Sequence, residues 1–151
     1  MRDSVTVHIT APPDQVWALV SDVTRIGEFS PETFEAEWLG GATGPAVGAK
    51  FRGHVKRNGR GPVYWTTCKV LSCEPNRVFS FGVMMKDKAV NTWGYELAAN
   101  GEGTDVTEFY DLAESLPMKL YWAIAGKARG RTNREGMRTT LERIKAVVEK
   151  A

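Results

Sequence analysis

Residues 91–112 read "NTWGYELAANGEGTDVTEFYDL", two alternating segments around a turn. In the first segment Trp93, Tyr95 and Leu97 share one phase while Thr92, Gly94 and Glu96 share the other, and successive side chains of a strand point to opposite faces. The second segment places Val106, Tyr110 and Leu112 in an apolar phase and Asp105, Thr107 and Asp111 in a polar one. Between them "NGEG" supplies turn chemistry, so the stretch predicts an antiparallel hairpin with one buried face. Glu108 breaks the pattern, because it falls in the apolar phase. Burying even a neutral polar group without a partner costs on the order of 2–7 kcal/mol, and a carboxylate must find a partner, meet water or lose its charge. The apolar face of this hairpin is therefore expected to border something other than dry core.

The same alternation extends in both directions. Upstream, "SVTVHI" (4–9) puts Val5, Val7 and Ile9 in one phase, and "APPDQVWALVSD" (11–22) opens a helix on its prolines with Val16, Trp17, Leu19 and Val20 along its face. Asp22 is placed to cap a second short helix, "VTRIGEF" (23–29), which Ser30 and Pro31 end. Strand-like segments follow at 33–39, 50–57, 63–74, 77–85, 89–99 and 104–113, punctuated by "GGATGPAVG", "RNGRGP", "EPN" and "NGEG". From Pro117 to the end the period becomes helical, through Met118, Tyr121, Trp122 and Ala125, then Met137, Leu141, Ile144 and Val148. The pattern predicts an α+β fold: a seven-stranded curved antiparallel sheet wrapped around a long C-terminal helix, with two short helices after the first strand. Residues 1–151 are expected to form one domain, with no repeat or low-complexity tract. A seven-stranded sheet twists and curls, and only the last helix is long enough to cover its concave face. A helix laid across a strongly curved sheet meets it poorly in the middle, so a cavity is expected there.

Several pieces, in this order, carry a resemblance: "APPDQVWALVSDVTRIGEFSPE" (11–32), "GPAVGAKFRG" (44–53), Val70 to Pro75, "WGYEL" followed by "GTDVTE", and "GMRTTLERIK" (136–145). Over essentially its whole length the chain resembles the START-like (SRPBCC) superfamily, in particular its polyketide cyclase/dehydrase and lipid-transport branch. The resemblance implies a helix-grip fold with a deep hydrophobic pocket between the sheet and the last helix. It implies no single reaction, since members include cyclases, lipid carriers, hormone receptors and proteins without a known ligand. Phe29 departs from the pattern, where relatives often have Trp before "SP"; the departure bears on packing near the pocket mouth.

Phase nominates the lining. Phe51, Gly53 and Val55 share one phase of their strand, Tyr64, Thr66, Cys68 and Val70 one phase of the next, and Phe79, Phe81 and Val83 one phase of the third. Together with Trp93, Tyr95 and Tyr110, and with Trp65 added to the tally, this is more aromatic surface than one sheet needs for its core. Along the long helix the stripe runs from Trp122 through Gly126 and Arg129 or Gly130 to Asn133 and Met137, so polar groups replace apolar ones mid-helix. Gly126, Gly130 and Gly136 each weaken that helix by about 1 kcal/mol relative to Ala, which predicts a bend or a close approach. The expected ligand-binding residues are thus Phe51, Tyr64, Thr66, Phe79, Phe81, Trp93, Tyr95, Glu108, Tyr110, Trp122, Arg129, Asn133 and Met137. The alternative for the polar members is a solvated Arg129 and a strand-end Glu108 paired to a neighbouring Arg or Lys. Both His8 and His54 fall in polar phases and are expected at the surface.

Other features bound the function. The chain has 151 residues with 42% hydrophobic and 25% charged, proportions of an ordinary globular protein. No apolar run approaches the roughly 18 residues of a membrane span, and "MRDSVTVHIT" lacks the apolar core of a signal peptide, so a cytoplasmic location without integral membrane association is expected. Cys68 and Cys73 lie about 16 Å apart if their segment is one extended strand, too far for a disulfide. A net charge of +2 is too small to imply nucleic acid. Residues 117–151 hold nine Lys or Arg against three Glu, a face open either to solvent or to an acidic carrier protein or anionic head group. A monomer and a homodimer are both compatible with the pattern. No phosphate loop, zinc spacing, Ser/His/Asp arrangement or inward carboxylate pair is present, and no cofactor or metal is expected. The expected function is binding of a small, mostly hydrophobic ligand, lipid or polyketide-like. The alternative is aromatase/cyclase-type proton transfer, with Glu108 as the catalytic acid or base, Tyr95 or Tyr110 as hydrogen-bond donor and Arg129 as oxyanion or carboxylate partner.

Overall fold

A computed structural model describes residues 2–56, 62–112 and 116–150, with side chains in the last helix described from Arg131 onward. The chain runs β1 (Arg2–Ile9), α1 (Pro13–Val20), a short 3-10 helix (Val23–Glu28), β2 (Thr33–Trp38), β3 (Lys50–Lys56), β4 (Val63–Glu74), β5 (Val78–Met85), β6 (Lys88–Asn100), β7 (Gly103–Leu112) and α2 (Leu116–Glu149). Every strand predicted from alternation is present within about two residues, a margin typical of element ends. The seven strands form one antiparallel sheet in the order β1-β7-β6-β5-β4-β3-β2. Register shifts interrupt it between Thr33 and Glu35, between Val70 and Ser72 and between Val83 and Met84, and such irregularities sharpen local bend and twist.

The hairpin that opens the sequence pattern is β6 and β7. Trp93 lies opposite Tyr110, Tyr95 opposite Glu108 and Leu97 opposite Val106, so the apolar phases of both strands share one face. Gly101 in the turn has φ 64°, a left-handed conformation that glycine adopts without strain.

The first helix starts on Pro13, where a missing N–H is no loss, and buries Val16, Leu19 and Val20. Asp22 caps the next element, accepting from the Thr24 backbone N–H at 3.1 Å and from the Thr24 hydroxyl at 2.6 Å. That element is six residues of 3-10 helix, and its close seat against β2 needs Gly27: a Cβ there would fall 2.2 Å from the Phe34 carbonyl oxygen. Close seating fixes where the following segment, Ser30 to Thr33, enters β2.

Helix α2 buries Met137, Leu141, Ile144 and Val148, spaced four, three and four residues along one stripe, against β1, β7 and α1. Its C-terminal half is also tied to the β1 end of the sheet. The Thr10 N–H donates to Glu149 Oε2 at 2.8 Å, and Arg134 donates to Asp3 at 2.9 Å. Tight packing is thus concentrated where β1, β7, α1 and the second half of α2 converge. A correction concerns Gly136. Instead of a close approach, the helix has open space there, since an added Cβ would meet nothing within 4 Å. Gly126, Gly130, Trp122 and Arg129 fall where side chains lie outside the described residues.

Candidate functional site

Away from that packed end, the sheet and α2 line a half-open cavity of about 650 Å³. Its floor is the inner face of β3 to β7, where phase points Phe51, Tyr64, Thr66, Phe81, Trp93, Tyr95 and Glu108 inward. Its roof is the first described stretch of α2, through Asn133, Gly136, Met137 and Thr140. The segment after the 3-10 helix, Ser30 to Thr33, together with Ile26, closes one side.

Nine of the sequence-nominated residues come together here: the seven on the strands plus Asn133 and Met137. Two others do not line the cavity. Phe79 is fully buried, with its ring edge-on to Trp17 of α1 at 6.2 Å, so α1 covers that end of the inner face. Tyr110 is fully buried behind Trp93, the ring centroids 5.0 Å apart, and supports the wall instead of forming it. Trp122 and Arg129 have side chains outside the described residues.

Trp65, tallied with the inward aromatics, lies on the opposite, convex face. There it stacks on His54 at 4.1 Å and carries the Arg52 guanidinium at 4.1 Å. His54 points outward as its phase requires but is not free in solvent: Nδ1 lies 2.7 Å from Glu35, and Phe34 covers the other side of the ring. His8, also outward, is within 2.7 Å of Asp105.

Some lining residues leave no trace in the periodicity. Ser30 and Glu32 belong to a connection whose position depends on the 3-10 helix. Thr140, by contrast, continues the helical stripe, lying one turn beyond Met137 and Gly136; its hydroxyl donates to the Gly136 carbonyl at 2.9 Å.

Glu108 dominates the chemistry. It is 7% exposed and neither a strand-end residue nor paired to a described Arg or Lys. Among the described residues its buried Oε2 has no hydrogen-bond partner, nor does the hydroxyl of Tyr110. Burial holds the Glu108 carboxyl well above the usual carboxylate range. Burial, followed by the charge of Glu108 opposite, likewise holds the Tyr95 phenol well above its usual value. Tyr95 is further fixed by Phe29, which meets it edge-on at 6.4 Å. Cys68 in the floor is a poor nucleophile, its thiol pushed up to about 12 by burial. Both cysteines are free. Among the described residues no three His, Cys, Asp or Glu gather as metal ligands would, and no helix is long and apolar enough to cross a membrane.

The arrangement is an oily cavity with one buried carboxyl group and a tyrosine beside it. A family model for polyketide cyclase / dehydrase and lipid transport matches residues 3–149. The chain belongs to this polyketide cyclase/dehydrase and lipid transport family. Solved structures agree in fold with this member. The protein TTHA0849 from Thermus thermophilus superposes with a TM-score of 0.74 at 16% identity, over 99% of this chain and 98% of its own. The protein MLL2253 from Mesorhizobium loti gives 0.68 at 17% identity, over 100% and 98%. The polyketide-cyclase-like protein Cgl2372 from Corynebacterium glutamicum, solved by NMR, is 30% identical over 98% of this chain and 85% of its own, with a TM-score of 0.55. No curated protein matches. Among family members, then, this chain has the helix-grip architecture with Glu108 on its inner face.

Proposed function

We propose that the chain binds a small, mostly hydrophobic ligand, lipid or polyketide-like, in the cavity between the sheet and α2. The observation that carries this reading is the cavity itself: about 650 Å³ with aromatic walls, a size and character suited to small-molecule binding and larger than a packed core leaves empty. Arg131, Arg134 and Arg138, with Glu135 among them, line a second groove against β1; Arg134 is paired to Asp3, and the remaining basic excess supports docking of an acidic carrier that delivers such a ligand.

A second reading is favoured by one observation, the buried carboxyl of Glu108 beside Tyr95. A carboxyl whose proton is held to higher pH than usual can act as acid or base on an enolisable ligand, with Tyr95 donating a hydrogen bond; cyclisation needs little more than a shaped cavity and such a shuttle. A dye titration tests the first reading and a turnover assay the second. The neutral dye Nile red binds the native protein saturably at micromolar levels, and Tyr95→Ala weakens it. Absence of saturable binding by folded protein removes the basis of the ligand reading. With a cyclisable polyketone, turnover by wild type that Glu108→Gln abolishes supports the enzyme; equal turnover by the two removes Glu108 as shuttle.

A further inference from the structure

The cavity's charges, among the described residues, are one-sided. Among its described lining residues are two carboxyl groups, Glu108 and the half-buried Glu32, and no Lys, Arg or His. The histidines lie on the convex face beside Asp105 and Glu35. A ligand with a carboxylate head group would bring a third acidic group into this enclosure and find no described counter-charge. A plain hydroxyl head group needs only neutral partners such as Asn133 or Tyr95, and leaves the buried carboxyl of Glu108 unexplained.

What a buried carboxyl among aromatic rings does recognise is a cation. Charge-assisted N–H···O bonds to a carboxylate are roughly twice as strong as neutral ones, and the faces of Trp and Tyr attract ammonium groups within about 6 Å. Trp93 and Tyr95 line the cavity beside Glu108: Tyr95 is its direct cross-strand neighbour, and Trp93 lies two residues along the same face. Resting on the ligand-binding reading above, we propose that the cavity's occupant is a hydrophobic amine, its ammonium hydrogen-bonded to the buried Oε2 of Glu108, which has no described partner, and set against Trp93 and Tyr95.

The proton balance is simple. If the amine enters neutral, the Glu108 carboxylic acid passes its proton to the nitrogen; if it enters as ammonium, that same proton leaves to solvent. Either route ends in an ammonium–carboxylate pair with no net charge added to the apolar site, which limits the desolvation penalty. The aliphatic or aromatic remainder of the ligand occupies the space under α2 between Phe81 and Met137.

The test is displacement of Nile red by three chain-matched probes, decylamine, decanol and decanoic acid, at neutral pH and below their micelle concentrations. Decylamine is expected to displace the dye at a concentration at least about tenfold below that of decanoic acid, with decanol between, as follows from one charge-assisted bond gained. In Glu108→Gln, which keeps the side chain's shape, the amine's advantage over the alcohol should collapse to within about threefold while the alcohol itself is little changed. Decanoic acid matching decylamine, or an amine preference that survives Glu108→Gln, overturns the amine assignment while leaving ligand binding intact. If wild type binds neither Nile red nor any of the three probes, the ligand-binding reading falls and the assignment with it.

Discussion

Glu108 places an ionisable group where the fold could have used an apolar one, and stability should register that. Burial favours the neutral acid, so its folded-state pKa lies above the usual 4.5. The folded form therefore holds its proton to higher pH than the unfolded chain does. The stability carried by that proton is fully present below about 4.5 and is lost as pH rises through the folded-state value. Glu108→Gln has no such loss. In ligand-free protein the two should melt alike near pH 4, and the mutant should be more stable at pH 7 to 8, with Tm higher by about 2–4 °C for each 1 kcal/mol relieved. A wild type more stable than the mutant at neutral pH would point instead to a cationic partner for the carboxylate. The anomaly at position 108 was legible in the sequence because strand alternation is strict: one residue out of phase is visible without coordinates. The absence of a described cation beside it was not legible, since nothing in the spacing of Arg129 from Glu108 says where a long side chain ends.

At the scale of elements, α2 carries two faces along one stripe. Its second half packs through Leu141, Ile144 and Val148, while Asn133, Gly136 and Thr140 face the cavity. Gly136 costs a helix interior about 1 kcal/mol relative to Ala, and a Cβ there would touch nothing within 4 Å. Gly136→Ala should therefore stabilise the protein by up to about 1 kcal/mol in denaturant titration and leave dye binding in place. Gly136→Trp projects a large ring into the same space and should abolish dye binding in a protein that still folds. Destabilisation by Ala, or undiminished binding with Trp, would mean the helix sits closer to the sheet than described. The strands and the two helical faces were readable from period alone. Phe79 and Tyr110 mark where that reading stops: phase tells which face a side chain takes, but α1 and Trp93 decide which part of the face remains open. The lip from Ser30 to Glu32 was unreadable for a related reason, because its place depends on how the 3-10 helix seats through Gly27 on β2, a tertiary contact with no periodic signature.

At the scale of the whole molecule, the packed end and the hollow end should respond differently to the same kind of change. Ile144 is fully buried where α2, β1 and α1 converge, so truncating it opens a new void in close-packed surroundings; Ile144→Ala should cost about 2–5 kcal/mol. Val83 borders the cavity and is only half-buried. Truncating it enlarges a space that already exists and removes few contacts, so Val83→Ala should cost less than about 1 kcal/mol in the empty protein. Occupancy then separates the two. A ligand that binds only the folded state adds about 2.7 kcal/mol at a concentration one hundred times its Kd. With the cavity filled, Val83 gains partner atoms, and the deficit of Val83→Ala at fixed ligand concentration should grow. The deficit of Ile144→Ala should stay the same, because its surroundings hold no ligand. Urea titrations of wild type and both variants, with and without a saturating amphiphile, measure all of these at once. Equal losses for the two variants in the empty protein, or a bound ligand that widens the Ile144→Ala deficit and not the other, would show that the hollow end is packed in solution and that the division between the two halves does not hold.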